Sequence, residues 1–130
     1  MHLALVIDIE GTVDQESLNR LRTHLNLAKR GRLTDDWDQE FGSRKIERSA
    51  GKYLAIDLFR NFDETWKVQV LDTDKRDPND AELTSVCAEL VGGITAAGFR
   101  TRVRARPTFG SAAEYDARVR EDPSFEHHAE

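Results

Sequence analysis

Apolar and polar residues alternate cleanly from the N-terminus. Leu3, Leu5, Ile7 and Ile9 fall on one side, and His2, Ala4, Val6, Asp8 and Glu10 on the other. A period of two over this length predicts a strand with one apolar face. Gly11 breaks the pattern, and Thr12 or Asp14 can cap the next element, Thr12 with capping-box spacing to Gln15. Leu18, Leu21, Leu25 and Ala28 then recur at helical intervals up to Gly31, so a first helix is expected over Asp14 to Arg30.

Alternation returns in Lys52–Arg60 through Leu54, Ile56 and Leu58, and in Thr65–Asp72 through Trp66, Val68 and Val70. The bridge Asn61-Phe62-Asp63-Glu64 has hairpin length. Asp77-Pro78 predicts a helix start, with Asp80 and Glu82 suited to the positive end of the dipole. Leu83, Val86, Cys87, Leu90, Val91, Ile94 and Ala97 give that helix a broad apolar stripe ending at Gly98, and Gly92 and Gly93 should let it pack closely on the sheet. Phe99 to Arg106 alternates once more before Pro107.

Arg32 to Gly51 shows no clear period. Asp35, Asp36, Asp38 and Glu40 surround Trp37, followed by Arg44, Lys45 and Arg48. A structureless stretch of this length is unusual inside a compact domain, so a short helical turn is expected near Asp35 to Phe41. Beyond Pro107 the chain turns polar. Ser111 and Glu114 could cap a short helix through Arg120, and the end past Asp122-Pro123 is expected to fray. The division is therefore a domain over 1–107 and a polar tail over 108–130.

Strand, helix, hairpin, helix, strand is the β-α-β-β-α-β order of an α+β, ferredoxin-like fold. That fold implies a four-stranded antiparallel sheet in the order 4-1-3-2 with both helices on one face. Length and composition agree: 130 residues with 38% hydrophobic and 33% charged suit one domain with a charged surface. A net charge of −5 opposes general attraction to nucleic acid or anionic membrane. No apolar run is long enough to span a bilayer, and the acids ending the first strand do not suit a signal peptide. The lone Cys87 suits a reducing compartment, so a cytoplasmic location is expected.

In such a fold the sheet face away from the helices displays Arg100, Arg102, Arg104 and Arg106 on its last strand, beside Asp8 and Glu10 on its first. Arg100 and Arg102 are expected to pair with Glu10 and Asp8, leaving Arg104 and Arg106 to bind an acidic group or a partner. Tyr53 and Phe59 sit toward the far edge of that face, so the central aromatic platform of an RNA binder is missing. His2, His24, His127 and His128 form no ligand pattern, so neither metal nor cofactor is expected. Cys87 reads as a structural thiol.

Leu5 to Val13, with Asp8-Ile9-Glu10-Gly11-Thr12 at its centre, resembles the first motif of the HAD-type phosphohydrolases. The resemblance implies Asp8 as nucleophile and Glu10 as the acid handling the leaving-group proton, with Mg²⁺ assisting. It covers nine residues, and the strand Tyr53 to Arg60 does not end in the Ser or Thr of the family's second motif. A palm-like metal site on the same frame would combine Asp8 with Asp63 or Glu64 of the hairpin.

With charge clusters present and catalytic sets incomplete, the leading expectation is a non-enzymatic protein-interaction or inhibitor-like domain. Its contact residues would be Asp35, Asp36, Trp37 and Asp38, suited to a basic protein partner, or Arg102, Arg104 and Arg106. The principle is that by which small acidic immunity proteins neutralise basic enzymes. Homodimerisation through the open face, and a small Mg²⁺-dependent phosphate-handling enzyme built on Asp8 and Glu10, are the alternatives.

Overall fold

The structure is a computed structural model and describes residues 2–35, 38–47, 51–72 and 80–104. Strand β1 (His2–Glu10) is followed by helix α1 (Gln15–His24), strands β2 (Ala28–Lys29), β3 (Glu40–Glu47), β4 (Tyr53–Arg60) and β5 (Trp66–Asp72), helix α2 (Asp80–Ala96) and strand β6 (Arg100–Val103). The strands form one six-stranded sheet in the order β2-β3-β4-β5-β1-β6, and every neighbouring pair is antiparallel. The protein is therefore α+β, with a sheet wider than the expected four strands.

Of the two additional strands, β3 comes from the segment without a clear period, and β2 from the end of the stretch expected to be helical up to Arg30. Glu40 and Phe41, expected at the end of a helical turn over Asp35 to Phe41, instead begin β3. A bulge between Glu40 and Gly42 leaves Phe41 unpaired in the ladder, fully buried and tilted against Trp66 with ring centroids 4.8 Å apart. The inward positions that follow are Gly42, Arg44 and Ile46, opposite Leu58, Ile56 and Leu54. Gly42 is small because Leu27 fills its space, and a Cβ there would sit 3.0 Å from Leu27. Arg44 donates to the Leu25 carbonyl at 2.9 Å at the end of α1 and pairs with Glu89 at 2.6 Å. A strand whose inward face holds a glycine and an arginine gives little hydrophobic alternation to read.

Helix α1 is shorter than its apolar spacing suggests. Asp14 caps it, its carboxylate accepting from the Ser17 amide at 2.8 Å while the Asp14 amide donates to the Ser17 hydroxyl oxygen at 2.8 Å. The helix ends at His24 because Asn26 takes a left-handed conformation (φ 55°). The Leu27 amide then reaches the Arg22 carbonyl at 2.9 Å and the Asn26 amide reaches Thr23, closing a Schellman motif six residues before the expected stop at Arg30. Arg22, buried inside the helix's apolar stripe, donates to the carbonyls of Phe41 and Arg30 at 2.7 Å each and so fastens α1 to β3 and to the turn after β2.

Both helices share one buried cluster with the sheet. Leu18, Leu21 and Leu25 of the α1 region and Val86, Leu90 and Ile94 of α2 lie with Leu5, Ile7, Ile9, Ile56, Leu58, Val68 and Val70. Gly93 serves the contact between the helices and not, as expected, the contact with the sheet: a Cβ there would come within 2.8 Å of Leu25 Cδ2 and 2.9 Å of the His24 carbonyl oxygen. Leu3 departs from the expected face. A bulge between Leu3 and Leu5 sets Leu3 opposite Leu71, on the side away from the helices. Among the described residues no helix is long and apolar enough to cross a membrane. The expected helix start at Asp77-Pro78 and the tail 108–130 lie outside the described residues.

Candidate functional site

The sheet end at which β1 stops, β4 turns into β5, and β3 and β6 begin gathers most of the charged residues singled out above. Its centre is the turn Asn61–Thr65. The Asn61 amide donates to the Thr65 carbonyl at 2.8 Å, and the Glu64 amide to the Asn61 carbonyl at 3.0 Å. Thr65 donates its amide to the Asp63 carboxylate at 3.1 Å and its hydroxyl to the same oxygen, and these bonds hold the Asp63 pKa below its ordinary value. Glu64 sits at φ 68°, a left-handed conformation that suits Gly or Asn and is uncommon for glutamate. Phe62 at the turn tip is 69% exposed.

Arg60, the last residue of β4, ties the acidic loop to this turn. Its guanidinium donates to the carbonyls of Asp35 and Asp38 at 2.9 Å each and of Leu33 at 3.3 Å, and lies 4.7 Å above the Phe41 ring. The planar fork makes these bonds while its face covers apolar carbon, a combination lysine cannot supply. Asp38 orders the loop further, accepting from the Arg32 amide at 2.7 Å. Asp35 and Asp38 are thus brought beside the hairpin, while Asp36 and Trp37 lie outside the described residues.

Three shallow hollows of about 330, 350 and 320 Å³ surround the turn, and Glu64 lines all of them. One is formed with Gly11, Thr12 and Arg60, another with Asp8, Glu10, Arg102 and Arg104, and the third with Asp38, Gln39 and Phe62. Arg106 lies outside the described residues.

The arginine ladder is arranged differently from the expectation. Arg102 and Arg100 stand opposite Asp8 and Glu10 in the strand register. The Asp8 carboxylate is nevertheless held by Arg104, Nε to Oδ2 at 2.7 Å and Nη2 to Oδ1 at 2.8 Å. Arg104 reaches diagonally because its amide bonds the Val6 carbonyl, which places its side chain over the strand toward Asp8. Arg104 therefore has the acidic neighbour that pattern reasoning denied it, and both Asp8 oxygens face a guanidinium. Among the described residues no three His, Cys, Asp or Glu side chains group closely enough to hold a metal ion.

A second charged group, which sequence reasoning missed, lies on the sheet face away from the helices. Asp57 of β4 is pushed up to about 7, first by burial and then by its hydrogen bond to Glu40 and the charge of that residue. Gln69 beside it donates to Asp57. Asp57 and Glu40 are 17 positions apart and meet only because β3 pairs with β4, so without β3 in the fold no signal pointed to them. Cys87 packs against the core cluster, and burial raises its thiol pKa. No family model, characterised protein or solved structure matches this chain.

Proposed function

We propose that this domain is a protein-interaction module that engages a basic protein partner through the end of its sheet. The observation that carries the reading is the turn Asn61–Thr65. It presents an exposed aromatic, Phe62, followed directly by Asp63 and sharing a hollow with Glu64 and with Asp38 of the acidic loop. An apolar anchor ringed by carboxylates suits a partner offering a pocket with a basic rim. Glu64 supports the reading independently. A glutamate held in a left-handed conformation costs about 1 kcal/mol relative to glycine, and strain of this kind collects where a side chain has work to do.

The frame we propose for this surface is a ferredoxin-like core of β6, β1, β5 and β4 with both helices on one face, widened by β2 and β3. The widening matters, because β3 delivers the acidic loop 33–39 to the hairpin. Asp35 and Asp38 then border the same contact surface as Phe62 and Glu64. Arg102 and Arg104 flank it, with Arg104 committed to Asp8. The lone Cys87 fits action in a reducing compartment such as the cytoplasm.

The test is capture from a lysate of the source cell with three immobilised proteins: wild type, Phe62→Ala combined with Glu64→Gly, and Arg102→Glu. A partner retained by wild type and by Arg102→Glu but lost from the double variant supports the reading. Retention by all three, retention lost only with Arg102→Glu, or no retained protein counts against it.

A further inference from the structure

Strand β3 leaves part of its outer edge without a neighbour. Strand β2 pairs with it only at Gly42 and Ser43, opposite Lys29 and Ala28. The Arg30 amide bonds the Phe41 carbonyl at 3.5 Å, which marks Phe41 and Ser43 as the residues whose main-chain groups face β2. Such groups alternate along a strand, so the N–H and C=O of Lys45 and Glu47 point to the same side, beyond the end of β2. Arg44 and Ile46 turn theirs toward Ile56 and Leu54 of β4. Among the described residues no strand pairs with Lys45 to Glu47 on the outer side. Lys45 and Glu47 are exposed on the face away from the helices, with the Lys45 ammonium 4.4 Å from the Tyr53 ring. Ile46, on the helix face, is partly buried against the core.

We propose that this edge pairs with the same edge of a second copy of the chain, β3 against β3, antiparallel about a two-fold axis at Ile46. That register sets Lys45 opposite Glu47 of the second copy, and Glu47 opposite its Lys45. Each opposed pair exchanges both main-chain bonds, because Lys45 and Glu47 are the residues with outward groups. On the open face each lysine meets a glutamate, and on the helix face Ile46 meets Ile46 across the axis. Charges along an edge ordinarily deter pairing, and like charges would do so here. Lys45 and Glu47 carry opposite signs at alternate positions, which makes the edge complementary to itself in this register. An axis moved by one residue, onto Lys45 or onto Glu47, would set two lysines or two glutamates face to face. Pairing of this isologous kind closes after two copies. It leaves the Phe62 turn untouched, since that turn lies at the Glu40 end of β3 and the axis near its other end. The dimer therefore stands apart from the partner surface proposed at the turn. The paired stretch is short, so a weak dimer is expected, with a Kd of about 100 µM.

The test uses the full chain. Sedimentation equilibrium at low salt, from about 10 µM to about 1 mM, should show monomer and dimer exchanging by mass action. Lys45→Glu sets like charges opposite each other in both pairs and should raise Kd at least about ten-fold. Lys45→Glu combined with Glu47→Lys swaps the charges, keeps the register and should return Kd to within about three-fold of wild type. Main-chain pairing is read by amide exchange in wild type. The Lys45 and Glu47 amides should exchange more slowly in the concentrated sample than in the dilute one, while the Ile46 amide, turned toward β4, is equally slow in both. That readout decides the matter should a variant fail to fold. A chain that stays monomeric to about 1 mM overturns the proposal. So does a dimer indifferent to Lys45→Glu, a loss that the charge swap does not rescue, or exchange at Lys45 and Glu47 that does not change with concentration.

Discussion

Two adjacent glycines in α2 should respond to the same substitution with opposite signs. Both lie inside the helix, where alanine is favoured over glycine by about 1 kcal/mol. Gly92 is exposed, and a Cβ there meets nothing within 4 Å, so Gly92→Ala should stabilise the protein by about 0.5–1 kcal/mol. At Gly93 the added carbon would lie 2.8 Å from Leu25 Cδ2 and 2.9 Å from the His24 carbonyl oxygen. Leu25 is buried in the core cluster and the other obstacle is backbone, so neither can swing aside cheaply. An overpacking cost of about 1–3 kcal/mol then exceeds the helical gain, and Gly93→Ala should destabilise by about 1–2 kcal/mol. Thermal and urea unfolding followed by far-UV circular dichroism should separate the two variants by about 1.5–3 kcal/mol, or roughly 5–12 °C in Tm. Equal stabilisation by both would refute the close approach of α2 to the end of α1. Equal destabilisation would refute the open surface at Gly92.

Other perturbations probe the charged groups. Asp57, raised from 3.8 to about 7, contributes stability that is fully present below pH 3.8 and lost as the pH rises through 7. With the shift discounted by about half for partial exposure, Asp57→Asn should gain roughly 2 kcal/mol above pH 7 and flatten the fall in Tm between pH 4 and 7, whereas an unchanged pH profile would contradict the pairing with Glu40. Arg104→Met should cost about 1–3 kcal/mol by leaving the part-buried Asp8 carboxylate unpaired, and stability within error of wild type would show the pair to be idle. Wild-type Tm is expected not to move with Mg²⁺, because Arg104 occupies both Asp8 oxygens; a rise abolished by Asp8→Asn would favour the phosphate-handling alternative. Arg60→Lys, which keeps the charge but loses the fork, should speed amide exchange across 33–39 at least about ten-fold, and unchanged exchange there would remove Arg60 as the tie between loop and turn.

Elements whose apolar spacing matched their burial were legible in the sequence. The ladders of β1, β4 and β5 and the stripe of α2 follow from Ile7, Ile56, Val68 and Leu90 falling at the right period. Strand β3 was not legible, because two of its inward positions are Gly42 and Arg44, which serve Leu27 and the end of α1. The early stop of α1 rests on one asparagine, which competed with an apolar pattern continuing through Leu25 to Ala28. At the site, the charges of Asp8, Glu10 and the acidic loop stood out as residue types, but their partners did not. The Asp8–Arg104 clamp is diagonal and not directly cross-strand, and Arg60 ended a strand without any local sign of the carbonyls it would collect. Phe62 carried a signal in plain view, an aromatic at the tip of a four-residue turn.

The most direct measurement of the central claim is the affinity of the captured partner for wild type, Phe62→Ala and Glu64→Gly by isothermal titration calorimetry, with Tm recorded for each. Loss of the anchor should weaken binding by about 2 kcal/mol, roughly 30-fold in Kd, without a fall in Tm. Glu64→Gly should raise stability by about 1 kcal/mol as its strained conformation is relieved and yet bind more weakly. Full affinity in both variants, or weaker binding only in step with lost stability, would contradict a partner surface at this turn.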